Sequence, residues 1–237
     1  SDFRVNNVSD AVLNMPMCPT ANSTEAKDYS TNGFNGLLSN TVMNVTDGYC
    51  TAWFDNSTSY IDTSITSNEF FNGSSNDGFT ISAWIKPDSG GETGEGRVVE
   101  MDTAGDGSNG FVYFISGGNN NIYLQINAGT QRSSAGNSII DGDGNWYHVL
   151  VTVNSSAFVQ HYVNGVASGT GGTTGALSGI TTTNALRIGN RAGATDRTFD
   201  GGIRNVKILD RTLLADEARE DFLNNTVLLS DAVAYYG

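Results

Sequence analysis

Apolar and polar residues alternate along most of the chain, and the period of two predicts strands. In Phe79–Pro87, the residues Phe79, Ile81, Ala83 and Ile85 share one face, while Thr80, Ser82, Trp84 and Lys86 share the other. The runs Phe111–Ser116 and Asn121–Asn127 predict a hairpin across Gly117–Asn120. Its second arm turns Ile122, Leu124 and Ile126 inward and Tyr123, Gln125 and Asn127 outward. In Trp146–Val153, Tyr147, Val149, Val151 and Val153 read as core, with Trp146 and His148 on the other face.

Ala11–Met17 reads as an opening strand, followed by the turn-rich loop Thr24–Gly36. Phe34–Val45 and Cys50–Ser64 read as strands joined by a turn at Asp47–Gly48. Arg97–Ala104 is a further strand. The stretch Gly169–Asn184 is too rich in glycine for a core strand and is expected to be a long flexible loop. Ala215–Asn225 carries the one clear helical pattern, and no internal repeat is evident. The expected layout is an arm over residues 1–10, one domain over 11–225 and an apolar tail over 226–237.

A length of 237 residues suits one large all-β domain with a core of its own. The 29 glycines favour short strands and many turns. A net charge of −13, with only 12 scattered Lys and Arg, argues against nucleic acid and against an anionic membrane surface. No run reaches the apolar length of a membrane-spanning helix, and no signal-peptide pattern is visible. The two cysteines, Cys18 and Cys50, are too few for a zinc site. They flank predicted strands, so a disulfide and two buried thiols are both open readings.

Candidate chemistry is sparse. Glu100 and Asp102 alternate on one predicted strand and so project from one face, as a pair of glycosidase carboxylates must. His148 and His161 are the only histidines; both fall within strands, and no nucleophile-elbow pattern accompanies them. No phosphate-binding glycine motif stands between a strand and a helix. Trp84, Lys86, Tyr123, Gln125, Asn127 and His148 all lie on the polar faces of their strands. Rings of this kind stack on sugars while amides and charged groups bond the hydroxyls.

Taken in order, Phe79–Pro87, Asn145–Asn154, His161–Gly165, Leu186–Asn190 and Phe199–Leu213 with its following helix resemble the laminin G-like, concanavalin A-like lectin and glucanase family. The opening strand, the loop at Asp28–Ser30 and the turn Phe54–Asn56 resemble the same family, including versions on bacterial and bacteriophage surface proteins. The resemblance implies a two-sheet antiparallel jelly-roll sandwich with one short C-terminal helix. It also implies one structural calcium ion, held by Asp28 with Asn32 and Asn35. The family's closing aspartate position is Arg204 here, which leaves Asp200 to substitute. Against the catalytic strand of laminarinase-type members, Glu100 and Asp102 match the nucleophile and the assisting aspartate. The acid/base position is Ala104 or Gly105, so proton donation to a leaving group is missing.

The expected function is therefore non-catalytic recognition or adhesion at an extracellular surface, with a glycan or polysaccharide as partner. The alternative is a virion protein that decorates a capsid or tail and packs on neighbouring subunits through its terminal segments. A laminarinase-like glycoside hydrolase is third.

Overall fold

The computed structural model describes residues 4–5, 8–9, 11–19, 24–46, 48–67, 78–105, 107–178 and 180–224. The turn residue Asp47, the tail 226–237 and most of the arm 1–10 lie outside these.

Two eight-stranded antiparallel sheets, one of them closed by a branching strand, carry the chain. Edge to edge, the front sheet runs Arg132–Ser133, Asn121–Ile126, Phe111–Ser116, Arg97–Met101, Arg187–Ile188, Tyr60–Asp62, Gly36–Ser39 and Glu25–Ala26. The back sheet runs Val166–Thr173, Phe158–Val163, Tyr147–Asn154, Gly78–Pro87, Asp200–Leu209, Tyr49–Asp55 and Val42–Thr46. Ala11–Met15 pairs with the far half of Asp200–Leu209.

The alternation read from the sequence decides which side of each strand meets the other sheet. Met101, Phe111, Tyr113, Ile122, Leu124 and Ile126 of the front sheet pack on Ile81, Ala83, Ile85, Val149, Val151 and Val153 of the back sheet. Phe79 and Phe111 meet between the sheets with ring centroids 5.7 Å apart. Each such side chain contributes about 1.5–3 kcal/mol on burial. The expected hairpin forms, with Phe111 opposite Ile126 and Ser116 opposite Asn121. The next hairpin turns at Asn164 and Gly165, both at positive φ, which a two-residue turn between right-twisted strands requires.

Two expectations need correction. Phe34–Val45 and Cys50–Ser64 each break into two strands, Gly36–Ser39 with Val42–Thr46 and Tyr49–Asp55 with Tyr60–Asp62, whose members lie in different sheets. Residues 169–173 are not loop, because Val166–Thr173 forms the outermost strand of the back sheet, paired with Phe158–Val163. Glycine is tolerated there because an edge strand has one unpaired side and little packing to lose.

The helix spans Ala215–Asn224. Glu217 opens it by accepting the Leu214 N–H at 2.8 Å, with Arg211 Nη1 beside its carboxylate at 3.0 Å. The helix lies on the outer face of the back sheet, where Ala218 joins Ala11, Leu150, Tyr162, Leu209 and Leu213 in a second, smaller core. Cys18 and Cys50 are joined by a disulfide that ties the end of the opening strand to the back sheet.

Candidate functional site

The helix packs on the back sheet, and on the outer face of the front sheet one row of residues crosses from strand to strand. Leu37, Asp62, Arg187, Glu100, Val112 and Gln125 are successive register partners. Above the Glu100 end of this row lies a cavity of about 340 Å³. Val112, Phe114 and Gln125 form its floor with Arg97, and its walls carry Glu95, Ala104, Gly105, Gln131, Arg191 and Arg197.

Two buried carboxylates build those walls. Glu100 accepts from Arg97 Nε at 2.6 Å and from the Ala192 backbone N–H at 2.9 Å. It thereby holds the loop that carries Arg191 and Arg197. Arg187 supports that loop from the neighbouring strand, donating from Nη1 to the carbonyls of Arg191 and Ala194 at 2.7 Å each. Asp102 accepts the backbone N–H groups of Gly105, Gly107 and Asn109 and so shapes the other wall. Gly105 has φ +78°, and a Cβ there would collide with the Arg191 guanidinium. Burial pushes the Glu100 carboxyl up to about 7, because Arg97 and the Ala192 N–H only partly offset the loss of water and Asp102 adds repulsion.

The cavity presents both donors and acceptors. Arg97 Nη2 donates to the Gly105 carbonyl at 2.9 Å while its guanidinium lies 4.7 Å over the Phe114 ring. Tyr123 stacks on Phe114 with centroids 5.4 Å apart. Gln131 Nε2 donates to Gln125 Oε1 at 3.1 Å, and Gln125 Nε2 to the Gly129 carbonyl at 3.0 Å, so the two amides lie side by side. Arg191 bonds Asp196 and the Ala104 carbonyl, and Arg197 bonds Glu95 at 3.2 Å.

The candidate glycan residues divide between the two faces. Gln125 lines the cavity, and Tyr123 stands beside it. Asn127, at the end of the same strand, donates to the carbonyls of Ala176 and Ser178 and so holds a loop. Trp84, Lys86 and His148 lie on the back sheet, on the opposite side of the sandwich. Trp84 is buried with its ring stacked on Phe222 of the helix at 5.7 Å. Lys86 extends over Trp53, 5.9 Å from the ring centre. His148 is wholly buried under the helix, with Nε2 3.1 Å from both Ser82 Oγ and Asp221 Oδ2. Ser82 Oγ donates to Asp221 Oδ2, and Lys207 Nζ to Asp221 Oδ1, each at 2.5 Å. Although burial alone raises its pKa, the hydrogen bond to His148 and the charge of Lys207 hold the Asp221 carboxyl well below the usual carboxylate range. This network fixes helix to sheet. His161 is also buried, with Nε2–H donating to the Arg132 carbonyl at 3.0 Å, and burial lowers its pKa to about 4.

Of the four residues considered for calcium, Asp28, Asn32 and Asn35 share one loop and Asp200 lies apart from them. Asp28 already accepts from the N–H groups of Asn14, Ser30 and Phe34 and from Ser30 Oγ, all within 2.9 Å. Asn32 donates to the Val12 carbonyl, and Asn35 accepts the Asp28 N–H. Asp200 is seven residues along its strand from Lys207, the partner of Asn14, which separates it from Asp28 by roughly 20 Å. Among the described residues no three His, Cys, Asp or Glu side chains cluster as metal ligands. At the family's closing aspartate position, Arg204 instead packs its guanidinium 3.9 Å from Tyr49 and 4.1 Å from Trp146. As for the catalytic pair, both Glu100 and Asp102 are fully buried and engaged by wall donors. The carbonyls of Ala104 and Gly105, at the missing acid/base position, bind Arg191 and Arg97.

Sequence reasoning missed Phe114 and Arg97, although both belong to predicted strands. Phe114 shares the outward parity of Val112, so an aromatic residue on that face was a usable signal. Arg191 and Arg197 reach the cavity through a loop, for which periodicity has no signal. Among the described residues no helix is long and apolar enough to cross a membrane.

A family model described as the concanavalin A-like lectin/glucanases superfamily matches residues 55–219. No curated protein matches the chain. Among solved structures, the binding domain of botulinum neurotoxin DC, in complex with rat synaptotagmin II, superposes with TM-score 0.67 at 16% identity. It covers 91% of this chain and 51% of that one. A structure described as showing that cell entry of botulinum neurotoxin type C depends upon interaction with two ganglioside molecules gives TM-score 0.67 at 17% identity, covering 94% and 53%. The binding domain of Paraclostridial Mosquitocidal Protein 1 gives TM-score 0.68 at 19% identity, covering 90% and 51%. The chain thus spans about half the length of these structures, and the likeness establishes the jelly-roll fold.

Proposed function

The chain belongs to the concanavalin A-like lectin/glucanase superfamily, and from that premise we propose that it is a non-catalytic glycan-binding module. Its site is the cavity on the front sheet. The observation that carries this reading is a cavity of about 340 Å³ whose walls are held by hydrogen bonds among their own residues. That volume is within the roughly 300–1,000 Å³ of small-molecule sites. Gln125 and Gln131 offer paired amides to vicinal hydroxyls, and Tyr123 offers a ring edge at the rim. The wall loops are held by Glu100, Asp102 and Arg187, so little ordering entropy is lost on binding.

The neighbours support binding rather than hydrolysis, since they are described as binding domains, one in complex with synaptotagmin II, and one toxin as interacting with gangliosides. Turnover would need an ionisable acid and base facing the sugar, and Glu100 and Asp102 face wall donors instead. An extracellular setting accords with this reading and with the disulfide. Decoration of a capsid or tail was to act through residues 1–10 and 226–237, most of which lie outside the described residues.

The test is a panel of immobilised oligosaccharides probed with the wild type and with a Gln125→Ala/Gln131→Ala variant. Retention of at least one glycan by the wild type and its loss in the variant is the expected result. Retention unaffected by the double substitution would move the site elsewhere, and release of reducing ends would replace binding with hydrolysis.

A further inference from the structure

The cleft's charge pattern says more about its ligand, on the premise that it binds glycans. Three guanidiniums reach it, from Arg97, Arg191 and Arg197. Each is already matched. Arg97 meets Glu100 at 2.6 Å, Arg191 meets Asp196 at 3.1 Å, and Arg197 meets Glu95 at 3.2 Å. The remaining lining groups, the two glutamines and Phe114, carry no charge. Around this balanced patch the protein carries a net charge of −13.

An acidic sugar would therefore approach against the long-range field. On arrival it would have to displace Glu95 or Asp196 from an arginine to gain a counter-ion. Those two carboxylates are half exposed, with 46% and 52% of their side-chain surface accessible. Glu95 lines the cleft and Asp196 pairs with Arg191 and Arg197 of its wall, so an incoming carboxylate or sulfate meets like charge at those arginines. A neutral sugar meets no such opposition. Its hydroxyls both donate and accept, and the fixed guanidinium N–H groups, amides and carboxylate oxygens match both roles.

We infer that the cleft selects uncharged hexose units and excludes uronic, sialylated or sulfated ones, with Glu95 and Asp196 acting as the excluding residues. The selectivity is a matter of repulsion as much as attraction.

The experiment uses the whole chain at pH 8, where Glu100 is ionised. Titration calorimetry compares neutral tetra- to hexasaccharides of glucose, mannose and galactose with oligogalacturonate, oligoalginate and sialyllactose. At least one neutral oligomer should bind, with an affinity that changes less than about twofold between 50 and 500 mM NaCl, since no ion pair is screened. The acidic oligomers should bind at least about tenfold more weakly, a difference on the order of 1.4 kcal/mol. Glu95→Gln and Asp196→Asn should each strengthen acidic-oligomer binding several-fold and so raise the acidic-to-neutral affinity ratio. Tighter binding of an acidic oligomer to the wild type, weakened by salt, would overturn the selectivity and leave the glycan-binding reading intact. An acidic-oligomer affinity indifferent to both substitutions would overturn the role of Glu95 and Asp196. Binding of neither class would overturn both readings.

Discussion

Each outer face of the sandwich holds a buried carboxylate on a charged network, and the two behave in opposite ways. On the back face, Asp221 has Lys207, His148 and Ser82 around it, under a helix that excludes water. On the front face, Glu100 has Arg97 and one backbone N–H, and Asp102 nearby repels it. The first is held well below the ordinary carboxylate range and the second is pushed up to about 7. Burial is nearly complete for both, so the number of donors and the sign of the neighbours decide the difference. The back network closes a face, whereas the front network props open a cleft.

The largest effect is expected from breaking the back network. Asp221→Asn leaves Lys207 buried without its counter-charge and should cost about 3–5 kcal/mol, read from urea unfolding. Because the Asp221 pKa is depressed, its contribution is present above the ordinary value of 3.8 and is lost as pH falls through the folded value. The gap between wild type and variant should therefore shrink below about pH 4.

Opening the disulfide tests whether the back sheet needs its staple. With a sequence separation of 32 between the cysteines, Cys18→Ser/Cys50→Ser should cost roughly 3–4 kcal/mol. A front-face cleft that still binds glycan in this variant would show that the two faces are independent.

Glu100→Gln probes the other carboxylate, and its slope runs the opposite way. A raised pKa contributes stability that is full below 4.5 and is lost as pH rises through about 7. Wild-type stability relative to the variant should fall by roughly 3 kcal/mol between pH 4 and 8, as urea midpoints at four pH values would reveal. Parallel slopes for Glu100→Gln and Asp221→Asn would dissolve the contrast between the faces.

Two smaller effects sharpen it. Gln125→Ala should weaken glycan binding by about 1 kcal/mol and leave the melting temperature within roughly 2 °C, because it removes a neutral hydrogen bond at a partly exposed site. Calcium at millimolar concentration should shift the melting temperature by less than about 1 °C, because Asp28 spends its oxygens on N–H and O–H donors.

Strand alternation determined the all-β class and the inward sets of Phe79–Pro87, Asn121–Asn127 and Trp146–Val153, turn residues placed the hairpin at Phe111–Asn127, and a separate helical pattern placed the helix near Ala215. Those properties are local, since a period of two commits every second side chain to one face wherever the strand is placed. It also put Gln125, Tyr123, Trp84 and His148 on outward faces. What it left open is which outward face each one joins, and whether that face stays exposed. Trp84 and His148 disappear under the helix, while Gln125 and Tyr123 line or border a cleft. Strand order and the docking of the helix decide that, and both arise from contacts between residues far apart in the chain. Glu100 with Ala192, and His148 with Asp221, are such contacts. Only the tertiary structure decided that Arg191 and Arg197 reach the cleft, because a loop has no period and takes its course from the groups that hold it.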